Sequence, residues 1–329
     1  LTSKDLTYRF NAASVGALVC TADGEVARHV EGALPQSPTV RARFLAAANE
    51  AGRAQKDREG WLDFDALLEE ASEDFTPVRF PAREPMLLYF TSGTTGQPKM
   101  VLHNASYALG HILTAKHWQN VREDGLHLTW SETGWAKAAW GKLYGQWLME
   151  SAFFVYDFEK FTPAELLSLF AKYKITSFCA PPTIFRFFIK EDMSRFDLSS
   201  LRYATIAGEA LNPEVYNQFL KATGVRLMEG FGQTEATCLV CNTVGMEPKP
   251  GSMGRPNPQY DIDIIDEDGN SVPAGTTGEI VVRTDQKIPA GIFMGYYRDE
   301  ALTARVWHDG VYHTGDTAWK DEDGYYWYV

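Results

Sequence analysis

The stretch TSGTTGQPK at 91–99 gathers four hydroxyl side chains, two glycines and one lysine directly behind an apolar run, MLLYF at 86–90. Glycine lets backbone N–H groups turn toward a ligand with no Cβ in the way, and such a concavity suits an anion. Thr91, Ser92, Thr94 and Thr95 add hydroxyl donors around Gly93 and Gly96. Lys99 ends the loop with a mobile charge, and Pro98 stiffens the approach to it. This set suits several phosphate oxygens at once. A Ser/Thr/Gly-rich surface turn uses the same residue types, yet it has no need of a lysine at its end or a buried strand before it. The usual nucleoside-triphosphate loop requires four residues between its first glycine and a Gly-Lys-Ser/Thr, and the spacing after Gly93 does not meet that pattern. No helix start follows, and 100–103 reads as a second strand. The loop is therefore expected to join two strands.

The elements that must position this loop are legible in the surrounding pattern. The first 80 residues alternate strand-like pieces such as VGALVCTA with helical ones, and 46–60 reads as a charged, solvated helix face. A helix is expected near Asp63, with apolar residues at 64, 67, 68 and 71 on one face. TPVRFPAREP, with Pro77, Pro81 and Pro85, reads as an extended connector. From Thr162 the texture is regular. Thr162, Pro163 and Glu165 form a helix start with a cap, a first-turn proline and a capping-box acid, and Leu166, Leu169, Phe170 and Tyr173 form its buried stripe. ITSFCA at 175–180 reads as a strand, PPT as a turn and cap, IFRFFIK as a helix and RYATIA at 202–207 as the next strand. Asn212, Pro213 and Glu214 start another helix that stops at Gly224, before the strand VRLME. Alternating strands and helices imply a mostly parallel sheet, whose ligands bind outside the carboxyl ends of the strands. The polar loops GEAL at 208–211 and EGFGQTEAT at 229–237 fall at those ends. After about residue 246, glycine, proline and short alternating strands such as YDIDII and GEIVVR point to a β-rich module.

Composition narrows the partners. The chain of 329 residues carries 31 basic against 43 acidic residues, a net charge of −12. With no basic stripe, a nucleic-acid partner is not expected. No apolar run approaches the ~20 residues of a membrane span. The chain opens on Leu1 in LTSKDLTYRF, which points to a natural start upstream that would carry any targeting segment. Four cysteines fit a reducing compartment, and a cytoplasmic location is expected. Cys238 and Cys241 are spaced like half of a zinc site, but CLVC reads better as a strand, while Cys20 and Cys179 are isolated. DEDG at 266–269 and 321–324 lacks the further oxygen ligands of a calcium loop, so both copies are read as turns, and Asp266 and Asp323 as solvated acids.

Three motifs in order, TSGTTGQPK, EGFGQTE and YHTGD at 312–316, resemble the adenylate-forming superfamily of acyl-CoA synthetases, luciferases and peptide-synthetase adenylation domains. WSETGW, the GEAL loop and KPGSMGRP are most similar to the acetyl- and medium-chain acyl-CoA synthetase branch. The resemblance covers essentially the whole chain. It implies that the start of the family's large lobe and its small C-terminal lobe lie outside these residues. The implied fold is α/β: a partial large lobe of mostly parallel sheets flanked by helices, with a C-terminal β-rich subdomain like a distorted barrel. The implied division is 1–115 including the phosphate loop, 116–245 and 246–329.

The resemblance also implies a reaction, with ATP, Mg²⁺ and CoA as cofactors and a small carboxylic acid as substrate. The acid attacks the α-phosphorus of ATP, pyrophosphate leaves, and the acyl adenylate is captured by CoA. Little covalent work falls to the protein, which neutralises oxyanions and holds the attacking oxygen in line. By resemblance, Lys99 balances charge on the departing pyrophosphate, Thr234 bonds the α-phosphate and Glu235 holds Mg²⁺. Phe231 stacks on the adenine where the family more often has Tyr; Gly208, Glu209, Ala210, Glu229 and Gly230 line the base edges, followed by Gly232 and Gln233. Asp316 accepts the ribose hydroxyls. The segment 130–147 holds four tryptophans in eighteen residues. Of these, Trp135 matches the acyl-chain position, while Trp130, Trp140 and Trp147 are read as core. His103, His127, His308 and His313 are not needed as bases, because a carboxylate nucleophile is already ionised at pH 7. A ligase of fatty-acid metabolism is the leading reading, compatible with a homo-oligomer. A peptide-synthetase-type adenylation domain, or a nucleotide-binding module without turnover, are the alternatives.

Overall fold

The computed structural model describes residues 1–22, 25–47, 58–91, 97–158 and 160–329. They fall into two units, Leu1–Phe80 and Pro81–Val329.

In the first unit the described residues form a parallel sheet in the order β1 (Ala17–Thr21), β2 (Ala42–Ala46), β3 (Leu62–Asp63). Helix Ser3–Ala12 starts in a capping box between Thr2 and Asp5, a device that satisfies two orphan N–H groups. Together with helix Val26–Ala33 it supplies Phe10, Ala27, Val30 and Ala33 to a core completed by Leu45 and Trp61. The helix expected near Asp63 is present as Phe64–Glu70, capped by the Asp63 carboxylate, but its apolar face is not buried: Leu67 and Leu68 are exposed. Of the expected charged helix at 46–60, the described residues are 46–47 and 58–60, Ala46 ends β2, and the rest lies outside the described residues. Residues 73–80 are exposed and irregular, as the prolines of the connector require.

The second unit opens with a hairpin, β4 (Pro85–Thr91) and β5 (Lys99–Asn104), antiparallel with Thr91 opposite Lys99. The loop does join two strands, although 92–96 lie outside the described residues. Next come β6 (Leu126–Thr129), β7 (Ala152–Phe153), β8 (Ser177–Ala180), β9 (Tyr203–Ile206), β10 (Leu227–Gly232), β11 (Cys238–Cys241) and β12 (Arg255–Pro256). They form a sheet ordered β12-β11-β10-β9-β8-β6-β7, parallel from β10 to β7, with β11 and β12 antiparallel. Helices Pro163–Tyr173, Pro182–Phe188 and Pro213–Thr223 each begin with proline in the first turn, where its missing N–H costs nothing. Asn212 caps the last of these by accepting from Glu214 N at 2.8 Å. Phe170, Phe178, Phe185, Phe188 and Phe219 interlock in the core. Each such side chain contributes roughly 1.5–3 kcal/mol on burial.

Several local readings differ from this. Thr162 occupies the cap position without a side-chain cap bond, and Glu165 instead accepts from the Tyr156 hydroxyl at 2.5 Å. Tyr173 lies at the exposed edge of its stripe, and Leu167 is buried in its place. Pro182 and Thr183 belong to the helix that follows them. Cys179 is not isolated: it meets Cys238 and Cys241 in a buried cluster with Trp118 and Trp140. Trp140 is core, as read, but Trp147 is 64% exposed, because Tyr144–Leu148 is a short helix that turns it outward.

The remaining strands are β13 (Asp261–Ile265), β14 (Gly278–Arg283), β15 (Gly295–Tyr296), β16 (Trp307–His308), β17 (Val311–Lys320) and β18 (Tyr326–Tyr328). Five of them form an antiparallel sheet around β14 and β17, while β15 pairs with β5. The phosphate-loop hairpin and the β-rich segment therefore share one core, with Val101 beside Ile264, Val282 and Tyr312. Both DEDG sequences are turns: Asp266 accepts from the N–H groups of Asp268 and Asn270, and Asp321 from those of Asp323 and Tyr325. Asp323 is not simply solvated, since it shares Lys249 with Asp321 at 2.6 Å.

Candidate active site

A cavity of about 720 Å³ opens in the second unit where three distant pieces of chain meet. Thr91 and Lys99 enter it from the hairpin ends, Gln233, Thr234 and Glu235 from the turn after β10, and Thr314, Gly315 and Asp316 from the bulged centre of β17. Each of the three sequence motifs thus contributes to the lining of one cavity.

Strand pairing explains why Lys99 is held where it is. Tyr296 on β15 lies opposite Val101 on β5, and residues two apart on a strand share a face. The Lys99 ammonium accordingly lies over the Tyr296 ring, 5.2 Å from its centroid. The same tyrosine donates its hydroxyl to Glu235 Oε1 at 2.8 Å. Burial, followed by the nearby Glu235 charge, pushes the Tyr296 phenol pKa far up, so the hydroxyl keeps its proton. Glu235 is only 8% exposed, and its backbone carbonyl accepts from Phe293 N at 2.7 Å. His103, on β5 of the hairpin, donates Nε2–H to the Thr234 carbonyl at 2.8 Å, and burial lowers its pKa to about 4, which keeps it neutral. It is no base. Its work is to fix the turn that carries Thr234.

On the opposite wall Asp316 is held by both oxygens. Tyr328 donates to Oδ1 at 2.9 Å, and Gln233 Nε2 donates to Oδ2 at 2.5 Å. Gln233 in turn accepts from the Tyr312 hydroxyl at 2.7 Å. His313 and Gly315 N both bond Glu279, and His308 stacks on His313 with centroids 4.5 Å apart. Lys99 and Arg305 therefore face a lining that also carries Glu235, Glu279 and Asp316. Mixed charge of this kind suits a ligand bearing both anionic groups and a polyol.

The other candidate residues are distributed as follows. Phe231 is not part of the cavity lining, but its ring packs 6.3 Å from that of Tyr328, which reaches Asp316. Gly208, Glu209 and Ala210 are exposed just beyond the carboxyl end of β9. Glu229 and Gly230 are buried in β10; Glu229 Oε1 accepts from Leu211 N at 3.3 Å, and burial pushes its pKa up to about 7. Gly232 ends β10 against Thr237 O and the Trp140 ring, where a Cβ would meet both within about 2.6 Å. Trp135 is 68% exposed at the start of helix Ala136–Lys142. Ser92, Gly93, Thr94, Thr95 and Gly96 lie outside the described residues.

A model of the AMP-binding enzyme family matches residues 1–297. The chain belongs to that family. Among curated relatives, the human mitochondrial acyl-coenzyme A synthetases ACSM5 and ACSM4 are each 38% identical across the whole of this chain, which spans 55% of theirs. A solved anthranilate CoA ligase, AuaEII, in complex with anthranoyl-AMP superposes with a TM-score of 0.90 at 24% identity, over all of this chain and 61% of that one. A Brucella canis acyl-CoA synthetase superposes with a TM-score of 0.87 at 25% identity, over all of this chain and 58% of that one. The expected adenylate-forming α/β fold is thereby borne out. The chain spans about half the length of the curated relatives it matches. Their names place these relatives in mitochondria, which does not match the plain cytoplasmic expectation. Among the described residues, no helix is long and apolar enough to cross a membrane.

Tyr296, Tyr312 and Glu279 line this candidate site and Tyr328 bonds its Asp316, and none of the four was singled out in the sequence. Tyr312 stands inside the YHTGD motif and could have been flagged by position; the others carry no local signal, because their partners are remote along the chain.

Proposed function

We propose that this family member contributes the nucleotide-binding lobe of an ATP-dependent acyl-CoA synthetase that activates a short- or medium-chain carboxylic acid. One observation carries the reading: Lys99, Thr234, Glu235 and Asp316, from three separate motifs, line one cavity. The names of the relatives, coenzyme A synthetases and a CoA ligase, favour CoA as acceptor over a peptide-synthetase carrier.

In this reading the loop at 91–99 cradles the β- and γ-phosphates, and Lys99 balances the charge that builds as pyrophosphate departs. Its ammonium lies over the face of Tyr296, and among the described residues no carboxylate pairs with it, so it stays available to the phosphates. Thr234, fixed from behind by His103, donates to the α-phosphate. Asp316 accepts the ribose hydroxyls, and Phe231 offers its ring to the adenine. Trp135 presents an apolar surface to the acyl chain.

Mg²⁺ fits the residues present. Glu235 supplies one hard carboxylate to the cavity that Lys99 also enters. That is the pattern of an ion held by one or two carboxylates plus substrate phosphates. Once bound, the ion would neutralise phosphate charge; Tyr296 holds, through a hydrogen bond to Oε1, the Glu235 carboxylate that would ligate it.

The test is pyrophosphate–ATP exchange by the intact protein with acids from acetate to decanoate and with benzoate. Exchange stimulated by one of them is expected. Absence of exchange with every acid, in a protein that is folded, rejects the proposal.

A further inference from the structure

The loop between β9 and helix Pro213–Thr223 is tied down by two ionisable side chains, the half-buried Lys137 and the buried Glu229, neither of which the reaction itself requires. Lys137, in the first turn of helix Ala136–Lys142, donates Nζ–H to the Ala207 carbonyl at 2.6 Å. Four residues on, Leu211 N donates to Glu229 Oε1 at 3.3 Å. Between these ties the tip is fastened once more: Arg186 donates to Glu209 Oε2 at 2.9 Å. Gly208 adopts φ +110°, a conformation that L side chains rarely enter, so the bend lies between the first tie and the tip.

Neither inner tie is an ordinary surface contact. Desolvation lowers the Lys137 pKa, while burial is the main force raising that of Glu229. Desolvating a cation costs free energy that one carbonyl hydrogen bond offsets only in part. The position of the lysine is also informative. It lies two residues after Trp135, so one short helix turn connects the proposed acyl-chain wall to the loop proposed for the base edges.

We propose that Lys137 is a positioning residue that presets the 207–211 loop for the nucleotide, and so links acid and ATP binding. This rests on the function proposed above. With the donor in place, the loop is already ordered when ATP arrives, and less binding energy is spent on ordering it. An acid that settles against Trp135 steadies the same helix turn, and ATP then meets a stiffer loop.

The test uses the intact protein with Lys137→Met, which removes the donor and keeps the stem, and Lys137→Arg, which restores a donor. Hydrogen exchange of the 208–211 amides and calorimetric ATP affinity are measured beside kcat and KM from pyrophosphate exchange. Lys137→Met is expected to speed exchange at 208–211 and to weaken ATP binding about tenfold, with kcat within about twofold and the melting temperature preserved. Lys137→Arg should recover most of the ATP affinity. The methionine variant should also lose the tightening of ATP binding that the preferred acid produces in the wild type. Unchanged exchange at 208–211 overturns the tether, whatever the protein binds. Faster exchange with unchanged ATP affinity overturns the positioning role alone. A wild type that binds no ATP overturns the function itself, and the amide data then report separately on the tether. A lowered melting temperature with kcat and KM spoiled together, and no rescue by arginine, assigns Lys137 to general folding and rejects the proposal.

Discussion

Glu229→Gln isolates the energetic cost of a buried carboxyl. Glutamine mimics the protonated acid and keeps an oxygen to accept from Leu211 N. In the native protein the carboxyl pKa is pushed from 4.5 to about 7, chiefly by burial. The folded state therefore holds a proton between those values that the unfolded chain has released. Stability contributed through this group falls as pH rises across that window, and below 4.5 the two states do not differ. A gap of about 2.5 at about 1.4 kcal/mol per pKa unit gives a penalty on the order of 3 kcal/mol, fully developed above pH 7. Urea unfolding of wild type and Glu229→Gln at pH 5 and pH 8 measures it. The variant should gain roughly 2–3 kcal/mol on the wild type between those two conditions. Parallel pH profiles for the two proteins would refute the reasoning, because they would mean that the carboxylate finds solvent or a cation when ionised.

Lys99→Ala removes the cation that enters the cavity beside Tyr296. Adenylation should slow by a factor equivalent to about 2–4 kcal/mol, with the fold intact, and normal single-turnover rates would contradict its role. Asp316→Ala should raise the ATP concentration required for half-maximal exchange and affect kcat less; an unchanged ATP dependence excludes the ribose assignment. Tyr296→Phe deletes the donor 2.8 Å from Glu235 while leaving a ring beneath Lys99. The metal requirement should rise several-fold with Lys99 function preserved, and an unaltered Mg²⁺ titration would detach Tyr296 from Glu235.

Much of the candidate site was readable because its residues act in local groups. The hydroxyls and glycines of 91–99 and the turn 233–235 sit at strand ends, which follow from alternation and punctuation, while Asp316 lies in the bulged centre of β17 and was readable only through the YHTGD motif. Helix starts at Pro163 and Pro213 were equally plain, since proline and a capping residue act within one turn. What stayed hidden depends on packing between segments far apart. Tyr296 is 61 residues from the carboxylate it orients, and only the pairing of β15 with β5 brings it near Lys99. The tryptophans of 130–147 looked alike in composition, yet Trp140 is enclosed and Trp147 faces outward, a distinction made by helix orientation and not by residue type. Leu67 and Leu68 have the spacing of a buried face yet are exposed, so periodicity announced the helix and misjudged its burial. Cys179 gave no hint of Cys238 and Cys241, because β8 and β11 are remote along the chain and only the finished fold brings the three cysteines into one buried cluster with Trp118 and Trp140.

Asp316 already has both oxygens engaged before any sugar arrives, one by Tyr328 and the other by Gln233. A carboxylate accepts about four hydrogen bonds, so in the proposed role an entering cis-diol would either share Asp316 with the protein's own donors or displace one of them, and its net gain is the difference between two satisfied arrangements. Released from Asp316, Tyr328 would carry that exchange to the Phe231 ring it packs against. Sugar capture and base stacking would then be felt by one another through a single phenol.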